Sequence, residues 1–305
     1  MRLMQRVSAG LILLLLMATA GFKPAAAQNN EAYLPEQSAA KAKSVLQQVI
    51  AKLGGSAYLN VRDTDCTGRL AQFGNNGAMT GFTQYRDTWL LPDKDRKEYI
   101  VKGEHTIAGF LVGIDGLNIS HGGVTVILFN GNQGWILDKS GVSDQPEDVA
   151  KTFSQQVKSS MDTMLRLRLN EKGLDLRYAG TDVIDLKEAE WIEFTDKDRG
   201  QFRLGLEKST HLPLRWVVQS RDTQTQERTE TVTSYSQFMP FDGVLAPVRI
   251  ARAQDGRDLF QLYFDSCKYN SNLSADLFTR SSLEQLSHQG GSKGNKSEKP
   301  DNKKK

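Results

Sequence analysis

The chain has 305 residues, 39% of them hydrophobic and 25% charged, with a formal net charge of +3 and two cysteines. The charge sits at the ends. Residues 1–27 hold Arg2, Arg6 and Lys23 without an acid, and residues 289–305 hold six lysines against Glu298 and Asp301, which leaves the body at about −4. A mildly acidic body excludes the basic surface stripe of a nucleic-acid binder, and this length buries a core without help from metals or many disulfides.

The opening "MRLMQRVSAGLILLLLMATAGFKPAAAQ" reads as a secretory leader. Arg2 and Arg6 form a basic start, Leu11 to Met17 is an apolar run, and Ala25–Ala27 offers small residues for cleavage between Ala27 and Gln28. The run is well short of the roughly 20 residues that span a bilayer. The expected organisation is a signal peptide over 1–27, a single domain over 28–288 and a disordered lysine-rich tail over 289–305, in a periplasmic or secreted monomer. In such an oxidising compartment Cys66 and Cys267 are permitted to bridge, closing a loop of about 200 residues; two separate buried thiols are the other reading.

Glu36 to Leu53 carries apolar residues at helical spacing and ends at Gly54-Gly55. From about Asn60 short extended runs alternate with turns: "CTGRLAQFG", "GFTQYRDTWLLP", "KEYIVKGE", and a hairpin joining Val124–Phe129 to Trp135–Leu137 through Asn130-Gly131-Asn132. A long helix is expected next, capped by Ser143 or Asp144 and running to about Asn170, with a stripe of Val149, Phe153, Val157, Met161, Met164, Leu165 and Leu169. Strands then resume at Leu174–Tyr178, Glu190–Thr195, Gln201–Leu206, Leu214–Ser220, Arg228–Gln237, Ala246–Ala251 and Leu259–Tyr269. Short connections imply neighbours paired antiparallel, giving an α+β fold built on one large antiparallel sheet.

None of the tested motifs carries catalysis. "DKDRGQFRLGLE" places Asp196, Asp198 and Glu207 like three calcium-loop ligands, but Gly200 and Gln201 stand where a ligand and the turn glycine belong. Phe202, Leu204 and Leu206 alternate as in a strand, and a second "DKDR" at Asp93 to Arg96 suggests hairpin tips. His105, His121, His211 and His288 are scattered without zinc-like pairing, and "SHGG" at Ser120–Gly123 has no nucleophile elbow behind it. No catalytic residue, metal or cofactor is expected.

The order of elements carries a resemblance. An N-terminal amphipathic helix, a strand through Thr67-Gly68, the "NGNQGW" hairpin, an inserted helix, "LPLRW", "DGVLAPVRI" and a closing "NSNLSADLF" resemble the family of periplasmic outer-membrane lipoprotein-sorting carriers, over roughly Glu36 to Phe278. The resemblance implies an unclosed half-barrel with the two helices covering its concave side. It also implies a non-catalytic role, either carrying an acyl chain, lipid or lipoprotein, or serving as an envelope regulator or scaffold for a membrane-associated partner protein.

The alternating apolar residues Ile192 and Phe194, Phe202, Leu204 and Leu206, and Leu214, Trp216 and Val218 then become the expected wall of a ligand cavity, with Arg215 and Gln219 outward. Trp89, Trp135, Met161 and Met164 are further candidates, and the glycine-rich Ala108–Gly123 a flap or an irregular strand edge. The plain alternative is that these residues form an ordinary core.

Overall fold

A computed structural model describes residues 33–73, 77–101, 106–108, 118–120, 123–221 and 227–292. The leader, nearly all of the glycine-rich segment and the end of the tail lie outside them.

Helix α1 (Pro35–Leu53) forms because Ala42, Val45, Leu46, Val49 and Leu53 recur on one face, and all five are buried. Pro35 suits its first turn, where the backbone N–H has no helical partner. It stops at Gly54, whose φ of 126° favours glycine, and a Cβ there would stand 2.4 Å from the Gly243 carbonyl oxygen. A short helix α2 (Ser56–Leu59) leads into the strands.

Those strands are β1 (Asp63–Phe73), β2 (Met79–Leu90), β3 (Lys94–Val101), β4 (Thr106–Ala108), β5 (Asn118–Ser120), β6 (Gly123–Asn130), β7 (Gln133–Asp138) and β8 (Gly141–Asp144). After the helical insert come β9 (Asp175–Ile184), β10 (Lys187–Thr195), β11 (Gln201–Glu207), β12 (Pro213–Arg221), β13 (Arg228–Phe241), β14 (Val244–Gln254) and β15 (Arg257–Tyr269). Among the described residues, β4 and β5 pair with each other, and the other thirteen strands form one sheet in the order β8-β7-β6-β3-β2-β1-β15-β14-β13-β12-β11-β10-β9. Every pairing is antiparallel, and β8 and β9 end the order without meeting: the sheet is an unclosed half-barrel.

Beta strands 1 and 15 join the first and last parts of the chain. Cys66 lies directly opposite Cys267 in that pairing and is bonded to it, with Cα atoms 4.1 Å apart. The turn before Gln201 is locked by Asp196, whose Oδ1 accepts from the Gly200 and Asp198 amides at 2.7 and 3.0 Å while Oδ2 accepts from Arg168. The carboxylate that imitated a calcium ligand is a hairpin lock.

The inserted helix differs from expectation. It begins at Glu147, because Gly141–Asp144 is taken up as β8 and Asp144 instead accepts from Arg280 at 2.8 Å. It also breaks. Helix α3 (Glu147–Lys158) ends at Ser159, and Ser160 caps a new turn by accepting from the Thr163 amide, so that α4 (Met161–Thr163) continues into a π-helical turn over Met164–Arg168.

The break lets one insert serve two apolar clusters on the inner face of the sheet. Phe153 and Val157 pack with Leu70, Tyr85, Tyr99, Ile127, Phe129 and Leu262. Met161, Met164 and Leu165 pack with α1 and with β10, β11 and β12. A last helix, α5 (Arg280–Ser292), follows a 3-10 turn at Ala275–Phe278 and covers the outer face, where Leu283 is buried against Val126, Leu128 and Leu137. It runs four residues into the segment expected to be a disordered tail.

Candidate functional site

Seven of the eight expected wall residues face inward together. Ile192, Leu204 and Leu206 are 0% exposed, and Phe194, Phe202 and Trp216 are buried with them beneath α1 and α4. Phe202 stacks on Trp216 at 5.7 Å with Phe194 edge-on at 5.4 Å, and the Trp216 indole donates to the Ser159 carbonyl at 2.8 Å. That bond pins the break in the inserted helix to the sheet. Val218 is half-buried at the margin.

The eighth residue, Leu214, points the other way. The β11–β12 register shifts between Gly205, opposite Arg215, and Leu206, opposite Pro213, so Leu214 is an extra residue with no partner. The bulge turns its side chain to the outer face, where it packs with Trp191 and Val217; Trp191 itself lies across Gly205, where a Cβ would meet the ring at 3.0 Å. Trp135 is likewise outward, against the cluster under α5. Met161 and Met164 are sealed core, while Trp89 is inward and half-buried.

The accessible part of the inner face lies elsewhere. The two inner clusters meet along a seam between β13 and β14: Tyr235 packs with the first, and its direct partner Ile250 with the second. Charged groups collect on the sheet around this seam. Lys97 contacts Asp95 closely and stands 3.9 Å from Asp87, and its ammonium lies 6.0 Å from the centre of the Phe153 ring. Arg252, opposite Thr233 and Phe260 in register, crosses the seam with its guanidinium 5.9 Å from the Phe260 ring. At the helical side Arg166 lies 4.2 Å over the Tyr58 ring and 3.4 Å from Asp162, which accepts from the Tyr58 hydroxyl at 2.7 Å.

Burial governs the protonation of these groups. It pushes Asp95 up to about 7, with Asp87 adding repulsion and Lys97 opposing. For Lys97 burial pulls down, but Asp95 and Asp87 outweigh it and hold the ammonium above its ordinary value. Burial lowers Arg252, opposed by Tyr235 and Tyr85. It also raises the phenols of Tyr85, Tyr99 and Tyr235.

Yet Lys97 and Asp87 keep 24% and 26% of their side-chain surface accessible, and Tyr235 and Arg252 are half-buried. These groups stand on the inner face with part of their surface uncovered. Asp87 Oδ1, Asp95 Oδ1, Trp89 Nε1 and Arg252 Nε also lack hydrogen-bond partners among the described residues, which is unusual for buried polar atoms.

Sequence reasoning missed this set. The signal was present: Asp95 and Lys97 share the inward parity of Tyr99, and Arg252 shares that of Ile250, so charged side chains alternate with core residues. Among the described residues no group of three or more His, Cys, Asp or Glu is arranged to hold a metal, and no helix is long and apolar enough to cross a membrane.

No family model matches the sequence, and no curated protein matches it. Among solved structures the chain is similar to a domain described as an outer membrane lipoprotein-sorting protein from Vibrio parahaemolyticus, at 13% identity and a TM-score of 0.48, covering 81% of this chain and 99% of that one. It is also similar to a DUF1329 family protein from Desulfovibrio piger, at 11% identity and 0.49, covering 79% and 98%. A LolA superfamily protein from Nitrosomonas europaea is similar at 13% and 0.48, covering 79% and 99%.

Proposed function

We propose that the protein is a non-catalytic, periplasmic carrier or binding protein that holds a hydrophobic ligand (an acyl chain, a lipid or a lipoprotein) on the inner face of its half-barrel. The observation that supports this reading is the incompletely covered apolar surface along the β13–β14 seam. There Ile250, Phe260 and Phe264 are half-buried and Leu262 adjoins them, while Ile192, Phe194, Leu204 and Trp216 are buried beneath α1 and α4. Each methylene buried on such a bed contributes about 0.8 kcal/mol, so a long chain binds usefully with few polar contacts. The Cys66–Cys267 bond supports export, since disulfides persist in oxidising compartments.

Native mass spectrometry on protein purified from a bacterial periplasm, before and after organic extraction, tests the reading. A bound lipid or acyl-peptide mass that extraction removes is the expected result. A bare mass in both runs, with no uptake of an added fluorescent fatty acid, rejects it.

A second reading, an envelope regulator or scaffold that binds another protein, is favoured by strand β9. It stands at one end of the sheet order and exposes Val183, and the turn after it leaves Leu186 98% exposed at a φ of 64°.

A further inference from the structure

Among the described residues Lys97, Arg166 and Arg252 reach the inner face, and the first two are matched. Lys97 has Asp95 and Asp87, and Arg166 has Asp162. Arg252 has no carboxylate at ion-pair distance among the described residues; its neighbours are the Phe260 ring and the phenols of Tyr235 and Tyr85. Its Nε is buried without a hydrogen-bond partner. A guanidinium stays charged at any physiological pH, so an enclosed one with no counter-charge is costly in the empty protein. That cost vanishes when an anion arrives, and the planar fork of a guanidinium fits a carboxylate or phosphate with two parallel hydrogen bonds.

We propose that Arg252 receives the anionic group of the ligand, so that the ligand class is an anionic amphiphile: a carboxylate or phosphate at Arg252 with its hydrocarbon laid along Phe260, Ile250, Leu262 and Phe264. This rests on the carrier reading above and specifies which lipids the seam selects. The placement follows from the strands. Arg252 sits opposite Phe260 and two residues from Ile250 on the same face, so a head group on the guanidinium leaves the chain beside an apolar row. A neutral lipid leaves the guanidinium unpaired and gains only the apolar contacts.

The test compares a dansyl-labelled long-chain fatty acid with the corresponding fatty alcohol, titrated into the full mature protein after lipid extraction. The acid is expected to bind at least about tenfold more tightly than the alcohol. Millimolar inorganic phosphate is expected to weaken the acid and leave the alcohol unchanged. Arg252→Gln is expected to lose the preference for the acid, bind the alcohol as before, and melt no lower than the wild type, because an unmatched cation has been removed.

Equal binding of acid and alcohol by the wild type overturns the assignment of Arg252 while leaving the carrier reading standing. So does an Arg252→Gln protein that keeps the preference. Binding of neither probe overturns both. Phosphate binding with no uptake of either chain shows a small-anion site and overturns the amphiphile assignment.

Discussion

The inner face divides into two regions made from similar strands. Under α1 and α4, the surface of β10, β11 and β12 is closed: its aliphatic residues interdigitate, its aromatic rings stack, and its one indole nitrogen finds the Ser159 carbonyl. Across the seam, β2, β3, β14 and β15 carry an equally aromatic surface, but Asp87, Asp95, Lys97 and Arg252 stand in it with several hydrogen-bonding atoms unmatched. Apolar content therefore marks where a sheet packs. What marks a binding region is apolar surface combined with polar groups the fold leaves unsatisfied, since a stable core has little reason to retain them.

Replacing the centre of the closed region breaks this contrast most directly. Trp216→Ala removes a buried ring that touches Phe194 and Phe202 and leaves the Ser159 carbonyl without its donor. A loss of about 3–5 kcal/mol in urea unfolding is expected. Fatty-acid affinity of the fraction that remains folded is expected to stay within about twofold, because the ring contacts Phe194 and Phe202 while the proposed ligand row is Ile250, Phe260, Leu262 and Phe264. A stable variant with abolished binding would mean the two regions have been assigned the wrong way round.

Reduction of Cys66–Cys267 comes next. The bond closes a loop with a sequence separation of 201 and staples β1 to β15, where the first and last parts of the chain meet beside the seam. Unfolding with and without reductant, or a Cys66→Ala/Cys267→Ala variant, is expected to show a loss of about 2–5 kcal/mol. A loss below about 1 kcal/mol would show that the antiparallel ladder alone holds that junction.

The same division explains what the sequence disclosed. Antiparallel order, the hairpins and the buried stripe of α1 are local matters of alternation, turn chemistry and helical spacing, and the chain writes them openly. The side on which Leu214 falls was not readable, because one bulge opposite Leu206 reverses a parity that looks unbroken in "LPLRW". Nor was the break at Ser159-Ser160, since Phe153 to Leu165 keeps helical spacing across it and only the two separate cores require it. Alternation selected the most apolar strands as the cavity wall, yet those are the strands that helices cover best. The seam residues were legible as charges at inward parity, but that signal needs the register of strands far apart in sequence: Arg252 and Lys97 share one sheet face only because the last strands return beside the first.

The pH dependence of stability offers the finest probe of the seam. Burial raises the Asp95 carboxyl to about 7, well above the ordinary carboxylate value of 3.8. Its protonated form is thus favoured by folding. The corresponding stabilisation is complete below about pH 4 and is lost as pH rises toward 7, at no more than about 1.4 kcal/mol per pH unit. Asp65, held low by Arg86, acts oppositely, as does Asp196, where bonds from Arg168 and the Gly200 amide outweigh burial; their contributions are present above 3.8 and lost as pH falls below it. Between pH 4.5 and 7 Asp95 therefore sets the slope among these three. Asp95→Asn keeps the shape of the side chain, leaves Asp87 facing Lys97, and is expected to flatten that slope in urea unfolding measured at intervals across the window. If wild type and variant run parallel, Asp95 titrates near its ordinary value. The groups around Lys97 would then be as well hydrated as an open surface, and the difference between an enclosed seam and a sealed wall would have to be drawn from packing alone.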